Sequence, residues 1–475
     1  MSDAYDLFVI NLVKNVLFQV YPLAADSGQN KALDTSLAAA ITTAALVGAI
    51  FGQLTFGIFA DYLGRRVIFI TTISLVILGS LGSATCSSPS GPLSKDYAGN
   101  LSVFYQLVFW RLLLGFGVGG EYPLSATISA ESNNTKQRGT AVASVFSMQG
   151  VGNLLASVVM ICCLRSSLPL DVVWRIALGI GALPGLCTVY WRYRMEESHH
   201  FTAITSGDIL SNDSTDEESL LKSETTETTP TPAKGSIKRT LQTIWEFRWA
   251  LLGTAGNWLI FDIVFYGNGL FSSTILSSIG YGSGSLEDLA IGNAFIGLIG
   301  LPGYFVALAT IDRIGRKNIQ IMGFICTAIV FLFMAIFLEP LEKQYSGLFI
   351  FLYGLTFFFA NFGPNMSTFV IPSEAFPTRA KATCHGISAA SGKVGAAIGS
   401  SVFPILLAAY STATQGVSVV LYVCAALSVA GLAWTLIFTK ETGELDIDVM
   451  DRENEVLLAR LASEEGGDEV KKSKY

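Results

Sequence analysis

Residues 318–338, "NIQIMGFICTAIVFLFMAIFL", contain no aspartate, glutamate, lysine or arginine. Eleven other stretches are nearly as poor in charge: 4–23, 35–60, 67–86, 102–126, 138–164 and 173–194, then 246–277, 288–311, 346–371, 382–409 and 415–438. A helix needs ~20 mostly apolar residues to cross a bilayer. Inside hydrocarbon, backbone polar groups must be satisfied within a helix or a closed barrel. These runs predict an all-α integral membrane protein with twelve transmembrane helices, arranged as six and six. Charged residues make up only 14% of the 475, against about 25% in soluble domains.

The expected division is a six-helix bundle at 1–195, a disordered cytoplasmic linker at 196–244, a second bundle at 245–439 and a cytoplasmic tail at 440–475. Arg65, Arg66, Arg192, Arg194, Arg313 and Arg316 all fall in alternate loops, which places both termini in the cytoplasm by the positive-inside preference. Segment 206–236 is rich in Ser, Thr and Glu. It cannot bury a core, and it offers phosphorylation sites to kinases. Asp216 with Leu220 and Leu221, and Glu453 with Leu457 and Leu458, have the form of acidic dileucine signals for sorting adaptors. Asn100-Leu101-Ser102 is a glycosylation sequon on the predicted outer side. The seven cysteines lie in apolar segments without paired spacing and read as small core residues. The acidic opening "MSDAYD" is the wrong charge for a cleavable signal peptide. No basic tract suits nucleic acid. No nucleophile–base pair, metal-ligand cluster or phosphate-cradling loop predicts an enzyme, a cofactor or a metal.

The two halves echo each other. "GIFADYLGRR" (57–66) joins spans two and three, and "ALATIDRIGRK" (307–317) joins spans eight and nine. Glu131 and Arg138 follow span four, as Glu374 and Arg379 follow span ten. This repeat resembles the major facilitator superfamily, whose halves are related by an axis along the membrane normal and whose substrate site lies near mid-membrane between them. Gly57, Asp61, Gly64, Arg65, Arg66, Glu131, Arg138, Asp312, Gly315, Arg316, Glu374 and Arg379 are then expected to form a cytoplasmic gate. In it, glycines permit tight turns and aspartates pair with arginines at nearby helix ends. A plainer reading leaves the arginines to set topology alone.

Ionisable groups inside spans are costly and tend to mark a substrate or proton path. The candidates are Asp3, Asp6, Glu121 with Tyr122, Gln149, Asp262 between Trp258 and Tyr266, Asn361 and Lys393. Steps of four put Trp258, Asp262 and Tyr266 on one helical face. Gln149 and Asn361 could equally tie helices together, and His385 reads as a packing histidine. Lys393 lies in a small-residue stretch, "SAASGKVGAAIGS", where it needs an anion, either a protein carboxylate or a substrate. The set suits an anionic solute carried with protons.

"GGEYPLSATISAE", "NWLIFDIVFYGNGLF" and "NFGPNMSTFVIPSEAFPTRAKATCHGISAASGKVGAAIG" are similar to the phosphate:proton symporters of the major facilitator superfamily, known from fungi and plants. The resemblance covers nearly all of the chain except the central loop and tail. It implies that Tyr122, Gln149, Trp258, Asp262, Tyr266 and Asn361 contact phosphate beside Lys393. It also implies that Asp3, Asp6, Glu121 and Asp262 serve proton coupling. The chain departs from the pattern in having Glu121 where the family has aspartate. "RMEESHHF" lacks the usual proline and arginine, and the chain starts almost at "DAYDLF". That start suggests a truncated first span; were it the true start, Asp3 and Asp6 would sit at the membrane edge, outside the proton path.

The expected partners are therefore inorganic phosphate, protons and the lipid bilayer. The expected address is the plasma membrane, with a vacuolar or endosomal membrane as alternative. A glycerophosphodiester or other organic-phosphate transporter, and a non-transporting phosphate receptor, are the competing readings.

Overall fold

The computed structural model describes residues 1–23, 28–94, 96–135, 137–206, 237–278 and 285–472. The acidic dileucine at Asp216, Leu220 and Leu221 lies outside the described residues, as does most of segment 206–236. Among the described residues every regular element is a helix. The first half contains α1 (Ser2–Val20), α2 (Gly28–Leu63), α3 (Arg65–Ala84), α4 (Tyr97–Glu131), α5 (Arg138–Arg165), α6 (Leu170–Gly179) and α7 (Ala182–Arg194). Two short helices, α8 (His199–Ser206) and α9 (Ile237–Glu246), stand within the stretch read as linker. The second half contains α10 (Arg248–Gly269), α11 (Ser272–Ser278), α12 (Leu286–Ile314), α13 (Arg316–Ile336), α14 (Leu338–Lys343), α15 (Ser346–Phe362), α16 (Pro364–Glu374), α17 (Lys381–Ala408) and α18 (Ala413–Phe438). The tail forms α19 (Ile447–Lys472).

Among the described residues eleven spans, counting α6 with α7 and α15 with α16 as single crossings, are long and apolar enough to cross a bilayer. The remaining expected span is α1, which carries Asp3, Asp6 and Lys14 in its 19 residues. Asp6 and Lys14 are buried inside the bundle, and Asp3 is half-buried.

The packing repeats along the chain. In the first half α2 packs on α4, α1 on α5, and α3 on α6 and α7; in the second, α12 packs on α15, α10 on α17, and α13 on α18. Between halves, α2 meets α17 and α5 meets α12. The outside is apolar, with Phe51, Phe109, Ile329 and Leu436 exposed. Charged side chains such as Arg65, Arg111, Asp262 and Lys393 are turned inward, as lipid demands.

Small residues set how closely the helices approach. A Cβ added at Gly115 or Gly119 of α4 would meet the α2 backbone at Ala45 or Ala49. At Gly395 or Gly399 of α17 it would meet α10 at Leu259 or Ile263. Gly115→Val is therefore expected to cost about 1–3 kcal/mol through overpacking. It should lower the melting temperature in detergent, whereas Gly347→Ala, with nothing within 4 Å of the added atom, should not.

Two expectations about loops and cysteines change. Asn100 is buried, and its amide donates to the carbonyls of Pro22 (2.9 Å) and Ser94 (2.8 Å), so in this fold it is not free to carry a glycan. Cys162 and Cys187 are exposed and Cys326 is half-buried, while Cys86, Cys163, Cys384 and Cys424 are in the interior. The sequence gives each cysteine an apolar neighbourhood but not a helical face.

Candidate functional site

The i, i+4 steps place Trp258, Asp262 and Tyr266 along one buried face of α10, and α17 brings Lys393 to it. Lys393 Nζ donates to Asp262 Oδ2 (3.0 Å) and to the Tyr266 hydroxyl (2.9 Å). It stands 4.1 Å from the centre of the Tyr266 ring and 5.0 Å from that of Tyr122. Both charges are about 1% exposed, so each is tolerated only because the other is there. Trp258 packs edge-on to Phe369 and His385 with ring centres 6.4 and 5.6 Å apart. His385 is itself buried, with Nε2 3.1 Å from the Phe369 carbonyl.

The amide half of the site arises from a broken helix. The run "NFGPN" ends α15 at Phe362 and restarts α16 at Pro364, because proline lacks the N–H that would continue the first helix and suits the first position of the next. Asn361 and Asn365 flank this break. Asn365 Nδ2 donates to Asn361 Oδ1 (2.8 Å), to the Tyr304 hydroxyl (2.8 Å) and to Gln149 Oε1 (3.0 Å). Tyr304 donates to the same Gln149 oxygen at 2.7 Å, and Gln149 Nε2 lies 3.4 Å from the Tyr122 hydroxyl. Asn361 Nδ2 is engaged by the Gly300 carbonyl at 2.9 Å. All seven expected substrate contacts thus stand in one buried region, linked by hydrogen bonds or ring contacts through Tyr122, Phe369 and Tyr304.

Glu121 occupies a second, adjacent cluster. Its Oε1 accepts from Arg192 Nη1 (2.6 Å) and from Thr72 Oγ1 (2.5 Å). A cavity of about 180 Å³ is lined by Asp3, Glu121, Tyr122, Gln149 and Arg192, well above the ~10–15 Å³ that admits one water. Asp6 is set apart from this cavity. It accepts from Ser80 Oγ at 3.0 Å, while Arg111 Nη1 donates to its backbone carbonyl at 2.6 Å.

At the end where α2 turns into α3, the expected gate residues make a clasp between halves. Asp61 Oδ2 accepts from Thr383 N (2.7 Å) at the start of α17, and Asp312 Oδ2 accepts from Thr140 N (3.0 Å) at the start of α5. Each aspartate thus caps a helix of the opposite half, where the N-terminal dipole favours an anion. Gly64 (φ +101°) and Gly315 (φ +93°) make the turns that precede Arg65 and Arg316, a backbone region that favours glycine. Arg65 reaches Glu131 (3.0 Å) and the Thr378 carbonyl across the interface (3.0 Å). Glu374 receives Arg316 through Nε (3.0 Å) and Nη2 (2.8 Å), with Arg138 at 3.5 Å.

Two of the expected gate residues bond elsewhere. The Arg66 guanidinium donates to the Tyr193 carbonyl of its own half. Arg379 pairs with Glu455 of α19 at 2.6 Å. Gly57 does lie in the interface, packed on Ala382 and Gly386. The tail helix closes over the clasp, with Asp451 Oδ1 accepting from Thr378 N at 2.6 Å and Leu458 of the second dileucine buried. Burial pushes the Asp451 carboxyl up from its ordinary value, against the pull of Lys381.

Residues 2–453 match the family model described as "Sugar (and other) transporter". The chain is 36% identical to the "Probable inorganic phosphate transporter 1-6" of Arabidopsis thaliana, covering 93% of this chain and 90% of that one. It is also 36% identical to the "Low affinity inorganic phosphate transporter 1" of Petunia hybrida, covering 99% and 93%.

The chain belongs to the sugar (and other) transporter family of the major facilitator superfamily.

Its fold matches that of the proton:xylose symporter XylE bound to 6-bromo-6-deoxy-D-glucose, with TM-score 0.72 at 21% identity over 96% of each chain. The family is one of transporters, not enzymes.

Several residues of this transporter's buried polar network escape a reading of the sequence. Arg192 looks like one of the loop cations that set topology, yet it turns inward to Glu121. Arg111 lies in the middle of an expected span and was detectable as an intramembrane charge. Tyr304 and Asn365 carry no local signal beyond the glycine–proline break beside Asn365, since their partner Gln149 is far away in the chain.

Proposed function

We propose that the protein is a proton-coupled symporter of inorganic phosphate working by alternating access of its two halves, residues 1–195 and 245–439. The observation that carries this reading is the buried Lys393–Asp262–Tyr266 centre. At rest the lysine and the aspartate cancel. A phosphate monoanion beside Lys393 would leave one net negative charge in a low-dielectric site, which is costly. A proton on Asp262 restores neutrality and lets the carboxyl share a hydrogen bond with the anion. Phosphate and proton therefore favour each other's binding. Tyr122, Tyr266, Trp258, Gln149 and Asn361 supply donors and acceptors for an ion that is itself both.

The relatives named as inorganic phosphate transporters support this substrate. Glu121, and Asp3 in the same cavity, lie on the proposed proton route; Asp6, outside that cavity and beside Arg111, is assigned to it as well. The clasp is assigned to the cytoplasmic side, with both termini there, and the plasma membrane is the proposed address.

The experiment is uptake of labelled phosphate into proteoliposomes, with and without an inward proton gradient, and with excess unlabelled glycerophosphodiester. Gradient-driven accumulation that the diester does not inhibit is expected. Strong inhibition by the diester would move the substrate to organic phosphates. Binding without flux would make the protein a receptor.

A further inference from the structure

Resting on that reading, we infer that Arg192 is a second binding group for a tetrahedral oxyanion, between the Lys393 centre and the clasp end, and that Glu121 gates it. The placement follows from α3 and α7. Arg192 Nη1 donates to the carbonyl of Phe69 at 3.2 Å, one turn inside the clasp, and the guanidinium lies 3.7 Å from the centre of the Phe69 ring. It is thus held over the Phe69 ring and lines the cavity it shares with Tyr122 and Gln149.

The bonding pattern is the decisive detail. Both hydrogen bonds of Arg192 leave from the same nitrogen, Nη1. Among the described residues, Nε and Nη2 have no hydrogen-bond partner. Those two N–H groups form the edge with which a guanidinium grips two oxygens of one oxyanion. A simple structural ion pair would be expected to spend that edge on the carboxylate. Here Glu121 takes only the end of the fork, and the 180 Å³ cavity lies beside it.

The charges give the gating. Arg192 and Glu121 cancel, so an arriving monoanion leaves one net negative charge, and a proton taken by Glu121 from cavity water removes it. Neutral Glu121 keeps Thr72 as a partner and releases its hold on Nη1. When the anion leaves, Glu121 returns the proton to water and closes on Arg192 again. Among the described residues, the other titratable groups facing the pair are Asp3 of α1 with the Met1 amino group beside it, and Tyr122, next to Glu121 on α4. Tyr122 also stands against Lys393. Tyr122 thus stands against both cationic sites.

The test compares wild type, Arg192→Lys, Arg192→Gln and Glu121→Gln in proteoliposomes by the KM for exchange of labelled phosphate at equal pH on both sides. Lysine keeps the charge and can still meet Glu121, but it lacks the fork. Arg192→Lys is expected to raise KM about tenfold, the factor carried by one charge-assisted hydrogen bond. Arg192→Gln should do at least the same and flatten the pH dependence of uptake. Glu121→Gln, which frees the guanidinium, should lower KM. A purely structural role would reduce the amount of folded transporter and leave KM where it was. A wild-type KM in Arg192→Lys, or a raised KM in Glu121→Gln, overturns the inference while phosphate transport stands. If the wild-type protein moves no phosphate, the phosphate reading fails and this inference falls with it.

Discussion

Replacing Lys393 by alanine is expected to abolish phosphate uptake and to lower stability more than any other single change at the centre. The substitution leaves Asp262, about 1% exposed, as an uncompensated charge, and breaking a buried pair by removing one partner costs about 3–5 kcal/mol. The Tyr266 hydroxyl also loses its donor at 2.9 Å. Melting temperature in detergent and uptake in proteoliposomes separate the two effects. Adding Asp262→Ala to the same chain should recover much of the stability, because no lone charge remains, and should recover no transport. If the double variant melted as low as the single one, the pair would matter for packing and not for charge. Near-normal uptake by Lys393→Ala would sink the proposed phosphate site.

Glu374→Ala is the second large effect, and it acts far from Lys393. Glu374 is fully buried and accepts from Arg316, from Thr442 Oγ1 at 2.6 Å and, by charge, from Arg138 of the other half. Its loss leaves buried Arg138 without a carboxylate among the described residues, while Arg316 keeps Asp312 at 2.7 Å; removing one partner of a buried pair costs about 3–5 kcal/mol. Because Arg138 belongs to the opposite half, the closed clasp should suffer more than the open one. The expected outcome is faster modification of Thr383→Cys, in a chain whose native cysteines are serine, by an impermeant thiol reagent added at the clasp end. Modification at the parent rate, with a lowered melting temperature, would reduce Glu374 to a stabiliser of the second half alone.

The contrast between these two sites shows where local pattern stops being informative. Trp258, Asp262 and Tyr266 share a face because four residues make slightly more than one helical turn, so their grouping could be read directly. The break at Gly363–Pro364 was likewise written in local chemistry, although its consequence, a hydrogen-bonded Asn361–Asn365 pair that shares Gln149 with Tyr304, was not. Arg192 misleads for a related reason. A cation at a helix end satisfies the topology preference whether it points to water or folds back, and hydropathy does not distinguish the two.

By itself, the sequence determined that this chain must live in a bilayer, that it crosses as helices in two echoing sets, and that a few costly ionisable groups lie among them. Those conclusions need only the energetics of apolar runs and the helical period. The tertiary structure alone decided which charges meet: Lys393 with Asp262, Glu121 with Arg192, Asp61 with the start of α17, and Arg138 with Glu374. Each of these pairs joins different helices, and three of the four are more than a hundred residues apart or cross between halves. Their distances depend on how closely glycine-lined helices approach and on how the halves are set against each other. No short-range pattern carries that information, because it is a property of the packed bundle.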